Sequence, residues 1–214
     1  MLRTLASALR WRPLEKTRGC ASSPVDAGRE IQVRALEGLD QGITEILMNR
    51  PSARNALGNV FVSQLLEALA QLREDRHVRV LIFRSGVKGV FCAGGTQRLP
   101  RCLGVALAKE LIFTGRRLSG MQAQALGLVN HAVAQNEEGN AAYHRALALA
   151  QEILPQAPIA VRLGKLAIDR GIEVDIASGM AIEGICYAQN IPTRDRLEGM
   201  AAFREKRTPK FVGE

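Results

Sequence analysis

Val78-Arg79-Val80-Leu81-Ile82-Phe83, followed by Gly86 and then by Val90-Phe91-Cys92-Ala93-Gly94-Gly95, is the stretch on which the reading of this chain turns. Between charged neighbours and Gly86, residues 78–83 form a mostly apolar run rich in Val and Ile. At that length such a run predicts a strand buried on both faces. Gly86, Gly89, Gly94 and Gly95 then mark a loop whose backbone can approach another group closely, because glycine has no side chain in the way. By itself this stretch is either an ordinary turn or a place where backbone N–H groups point at a ligand.

Upstream, Ile31-Gln32-Val33-Arg34-Ala35 alternates apolar and polar residues and predicts a half-buried strand. Gly42 opens a second strand, Ile43 to Met48, and Pro51 starts a polar loop. Leu57 to Leu72 predicts an amphipathic helix, with Phe61, Leu65, Leu69 and Leu72 stepping by four or three along one face. Strand, strand, helix, strand is an α/β beginning.

Downstream of Pro100 the pattern turns helical. Segments are expected over 104–113, 121–126, 143–154, 159–169, 176–189 and 194–205, punctuated by Pro155, Pro158, Gly171 and Pro192. Val129 to Ala134 has the composition of a short strand. The sequence therefore divides into a leader at 1–29, an α/β core at 30–135 and a helical region at 136–214.

Composition narrows the function. Hydrophobic residues make up 47% of the 214, an ordinary content for a packed core. No apolar run reaches the length of a membrane-spanning helix. Aromatics are only 4%, too few for a reader that stacks bases on rings. The four cysteines form no Cys-x-x-Cys pair and read as reduced thiols. The three histidines are scattered, so no metal site is expected.

Half of the +8 net charge sits in residues 1–29, where six Arg and Lys stand against two acids. Leu2, Leu5, Ala6 and Leu9 recur at helical spacing there, and no acid precedes Glu15. Such a start is a mitochondrial transit peptide, or else a basic tail carrying no address.

The motifs, taken in order, carry a resemblance. They are Asn49-Arg50-Pro51 with Asn55-Ala56-Leu57; Val80 to Phe83 leading to Phe91-Cys92-Ala93-Gly94; Gly95-Thr96-Gln97-Arg98-Leu99-Pro100-Arg101; Thr114-Gly115-Arg116-Arg117 with Gly127-Leu128-Val129-Asn130; and Glu198 to Arg207. Each is weak alone. Five in sequence resemble the enoyl-CoA hydratase/isomerase (crotonase) family from residue 31 onward. The resemblance implies a strand–strand–helix spiral, here truncated, with a C-terminal helical region that assembles trimers or hexamers. It implies a lyase of mitochondrial fatty-acid β-oxidation, in the matrix, adding water to a 2-enoyl-CoA. Coenzyme A enters as part of the acyl-CoA thioester and no separate cofactor is required.

By the same resemblance, the Gly95 N–H is an oxyanion-hole donor, suited to the negative charge that builds on a thioester oxygen. Ala53 and Arg54 line the CoA path, while Phe203 and Lys206 meet the adenine and phosphates from a neighbouring subunit. Read without the family, Arg54 is a solvated loop charge, and Phe203 is a core residue of an amphipathic helix whose wet face carries Lys206.

One departure matters. The family's oxyanion loop is followed by a long segment bearing two catalytic glutamates, but here Gly94 runs straight into Gly95-Thr96-Gln97. Between Asp75 and Glu110 there is no acid at all, although hydration needs a positioned proton donor and acceptor. His77, the nearest titratable candidate, reads as a surface residue. An internally deleted isoform with impaired turnover is therefore expected. The alternatives are a non-catalytic acyl-CoA-binding or partner subunit and, disfavoured by the few aromatics, an RNA-binding protein prompted by the residual basic charge and by an RNA-binding member of the family.

Overall fold

The structure, a computed structural model, describes residues 28–91 and 96–214. Nearly all of the leader read at 1–29 lies outside the described residues, as does Gly95.

Among the described residues three strands form the sheet, in the order β1 (Ile31–Ala35), β2 (Ile43–Met48), β3 (Val80–Ser85). β1 and β2 are antiparallel, with Ile31 opposite Met48 and Ala35 opposite Thr44. β2 and β3 are parallel, with Ile43 beside Val80 and Met48 beside Ser85. A parallel pair needs a crossover, and helix α1 (Asn59–Glu74) supplies it. Gly42, at φ 98°, makes the left-handed entry to β2, and its bare Cα lets Arg79 and Leu154 close in.

Strand alternation sends β2 side chains to two different cores. On one face Ile46 and Met48 join Ile31 and Phe61, with Leu65, Leu69, Leu72 and Leu81 around them. On the other, Ile43 and Ile82 meet Ala146, Leu147 and Ala150 of helix α5 (Ala141–Ile153) and its capping residue Leu154. The sheet is thus sandwiched between α1 and a helix that folds back from the C-terminal region. The helical periodicity of α1 did identify its buried face.

The remaining helices are α2 (Arg98–Leu103), α3 (Val105–Thr114), α4 (Gly120–Ala125), α6 (Pro158–Gly171), α7 (Ile176–Asn190) and α8 (Arg194–Glu205). α2 begins before Pro100, which sits in the first turn where its missing N–H costs nothing. α6 and α7 form a hairpin that closes at Gly171 and Gly179, whose backbones are in direct contact. Asp175 caps α7 by accepting from Ser178 N at 3.0 Å, and Thr193 caps α8. Ser119 and Gln122 form a reciprocal capping box on α4.

Val129 to Ala134 is not a strand. Leu128 and Val129 donate instead to Ala123 O of α4, at 2.8 and 3.4 Å, which leaves this segment turned onto a helix rather than laid along a sheet edge.

Candidate functional site

The site is built on the loop between β2 and α1. Pro51–Ala53 form one 3-10 turn, after which Arg54 (φ 50°) and Asn55 (φ 56°) both adopt the left-handed conformation. Two consecutive non-glycine residues there store strain of about 1–3 kcal/mol each. That geometry persists because Asn55 is fully buried and bonded in several directions. Its Oδ1 accepts from Arg50 N at 2.8 Å. Its Nδ2 donates to Ser85 Oγ at 2.9 Å, Phe91 O at 3.1 Å and Met48 O at 3.3 Å. One side chain therefore ties together the ends of β2 and β3, the Arg54 turn and the start of the glycine loop. Ser85 Oγ also accepts from Val87 N at 3.1 Å, which extends the network into that loop.

Beneath the turn, Arg50 Nε pairs with Glu30 at 2.8 Å and Arg50 Nη1 donates to Ala56 O at 2.8 Å. The guanidinium fills the space over Gly58, where a Cβ would lie 2.5 Å from Nη1. Glu30 is a carboxylate brought beside this turn that proximity in sequence to the glycine loop did not reveal. It is engaged by Arg50, although its second oxygen is buried without a partner.

The predicted residues fall into two groups. Ala53 and the exposed Arg54 lie on the turn; the Arg54 backbone N–H donates to Pro51 O at 3.2 Å, while its guanidinium makes no hydrogen bond or ion pair among the described residues. Phe203 and Lys206 lie at the far end of α8. Phe203 is 86% exposed, so it is not a core residue. Lys206, left-handed at φ 52°, ends the helix with its side chain in solvent. No described contact joins the two groups within one chain. The acids beside Lys206 are occupied elsewhere: Arg207 takes Glu198 through two bonds, at 2.6 and 2.9 Å, and Glu205 at 2.6 Å. These bonds hold the Glu198 carboxyl down to about 2.

His77 is solvent-exposed and contacts Asp75 Oδ1 at 3.0 Å, past the end of α1 remote from the turn. It is the surface residue the sequence indicated. A further polar cluster lies under α5. Glu45 is buried on β2 beside Tyr143, and the Arg84 guanidinium sits 4.9 Å over the Tyr143 ring. Burial first, and then the neighbouring Glu45 carboxylate, push Tyr143 up to about 12. Among the described residues no group of acids, histidines and cysteines could hold a metal, and no helix is long and apolar enough to cross a membrane.

A family profile described as "Enoyl-CoA hydratase/isomerase" matches residues 38–98 and 93–214. The chain belongs to the enoyl-CoA hydratase/isomerase family. "Enoyl-CoA hydratase domain-containing protein 2, mitochondrial" from Bos taurus is 65% identical, and its counterpart from Homo sapiens is 62% identical; each alignment covers 100% of both partners. The crystal structure of an enoyl-CoA hydratase from Bacillus anthracis matches with a TM-score of 0.76 at 29% identity, over 87% of this chain and 100% of that one. The crotonase fold expected from the motifs is therefore present. The Bos taurus alignment runs over 297 positions against the 214 residues here, so 83 positions have no counterpart in this member of the family. The two profile matches meet at 93–98, at the junction of Gly94 and Gly95.

Proposed function

We propose that this chain is an acyl-CoA-binding member of the family, acting in the mitochondrial matrix in fatty-acid metabolism, in which water addition to a 2-enoyl-CoA is impaired. The observation that carries this reading is the Asn55 network. It preserves the strained Arg54 turn and fixes it to the glycine loop, although the match to the family sequence is interrupted a few residues later. Ala53 offers a small wall and Arg54 an unengaged guanidinium to the CoA phosphates. Phe203 and Lys206 offer a bare ring and an ammonium, which a neighbouring copy contributes in an assembly. Gly95 N–H is the oxyanion donor.

Hydration needs carboxylates placed to move protons. Those near the turn and the sheet are already committed, Glu30 to Arg50 and Glu45 to Tyr143. Support for the impairment also comes from the interruption of the family match at 93–98, in the glycine loop, and from the 83 positions of the Bos taurus alignment that have no counterpart in this chain. The Bos taurus and Homo sapiens relatives carry "mitochondrial" in their names, which supports the location.

Calorimetry against CoA tests the binding. The expected result is weak, salt-sensitive binding that Arg54→Ala and Lys206→Ala each reduce about tenfold, with hydration of crotonyl-CoA near background. Binding indifferent to both substitutions overturns the site. Turnover comparable to an ordinary hydratase overturns the impairment.

A further inference from the structure

Of β3, the Ser85 hydroxyl belongs to the Asn55 network, but the outward backbone edge of the strand takes no part in that site. Val80 N donates to Gly42 O and Gly86 N to Met48 O, at 3.1 and 2.8 Å. Residues 80, 82 and 84 therefore direct their backbone groups toward β2, while Leu81, Phe83 and Ser85 direct theirs away from it. Among the described residues no strand pairs with that outer side. α5 covers the face that carries Val80 and Ile82, not the edge.

Proteins normally protect such an edge with proline, lysine, a bulge or a covering element. β3 has none of these: it reads Val-Leu-Ile-Phe-Arg-Ser, with a single charge. The other edge, β1, is protected at its start, where Gln64 Oε1 accepts from Glu30 N and Ile31 N at 2.8 and 3.2 Å. β3 is also the last strand before the junction at 93–98, so the match to the family sequence is interrupted on the side of the chain that follows it.

We propose that the β3 edge pairs with the β3 edge of a second copy of this chain, antiparallel about a two-fold axis through Phe83. The three outward residues make this register self-complementary. Phe83 faces its own equivalent, Leu81 faces Ser85 of the other copy, and each such pair exchanges both of its backbone bonds. Phe83, 39% exposed on the face opposite α5, gains an aromatic cross-strand partner. Arg84 falls opposite Ile82 rather than opposite a second Arg84, and its guanidinium is already drawn back over Tyr143. The result is a continuous six-stranded sheet with both formerly bare edges consumed.

The full chain tests this by sedimentation together with amide exchange resolved by residue. The expected result is an assembly containing pairs of the 23.3 kDa chain in which the Leu81, Phe83 and Ser85 amides are slowed, and are released on dilution. Phe83→Lys places like charges face to face and should weaken pairing about tenfold or more, with the circular dichroism unchanged. Leu81→Pro removes an outward N–H without touching the β2 ladder and should act in the same direction. A monomer at the highest soluble concentration overturns the proposal. So do fast exchange at the three amides within any assembly, and an assembly that both variants leave intact. The exchange measurement on the unaltered protein decides the matter even if a variant fails to fold. CoA binding is read separately, so failure here leaves the proposed function standing.

Discussion

The sheet layer and the α6–α7 hairpin are built from similarly apolar sequence, yet they bury it to different extents. Around the sheet, Ile43, Ile46 and Phe61 are fully buried, and α1 and α5 close both faces. In the hairpin, among the described residues, Leu163 of α6 and the small Cys186 of α7 are the side chains that become buried, whereas Ile176 is 81% exposed and Met180, Ile185 and Tyr187 lie mostly in solvent. Phe113 of α3 is similarly bare at 79%. A sheet between two helices encloses its own core. A two-helix hairpin has one buried seam, and the rest of its apolar surface faces outward. The front of the molecule thus derives stability from density, and the back from helix formation and capping. Exposed apolar surface of this extent marks contact surface rather than core.

Deleting a buried side chain is the strongest way to test this contrast. Phe61→Ala should cost about 3–5 kcal/mol in denaturant unfolding, because it empties the centre of the α1 face. Amide exchange should quicken across β1, β2 and α1 more than in α6 and α7. Equal loss in both regions would show that they unfold as one unit.

The hairpin offers an effect of the opposite sign. Gly184 lies inside α7 with open space where a Cβ would point. Gly184→Ala should raise stability by about 1 kcal/mol through helix propensity alone. A loss on thermal unfolding would mean that an unseen partner covers this position.

The smallest expected effect lies at the seam between the regions, where α5 meets β2. Tyr143 titrates near 12 in the folded protein, above the usual phenol at about 10. The fold therefore holds the proton more tightly than the unfolded chain does. This contribution to stability is complete below about pH 10, declines between 10 and 12 and is lost above. Because Tyr143 is partly exposed, solvent screening keeps it modest. In a Tyr187→Phe background, the ultraviolet absorbance of the single remaining phenolate should rise with a midpoint near 12. A midpoint at the ordinary value would mean that Tyr143 is neither buried against β2 nor held beside Glu45 in solution.

Much of the architecture was legible in advance. Alternation and local breaks placed Ile31–Ala35 and Ile43–Met48 at their observed bounds, and the spacing of Phe61, Leu65, Leu69 and Leu72 named the buried face of α1. Five motifs in order named the family, and the junction at Gly94-Gly95 located the missing stretch. These features are local: a period or a motif is complete within a few residues, and the physics that produces it acts over the same distance.

What the tertiary structure alone decided joins residues far apart in sequence. Asn55 reaches Ser85 and Phe91, Glu30 is drawn to Arg50, and α5 arrives from residue 141 to cover Glu45. Phe203 has the apolar character of a core residue but lies in solvent, because among the described residues no element is placed to cover it. Val129 to Ala134 has the composition of a strand but binds α4, because a strand exists only where another offers its edge. A polar side chain becomes buried when its partners arrive from elsewhere to satisfy it, and no window of sequence contains those partners.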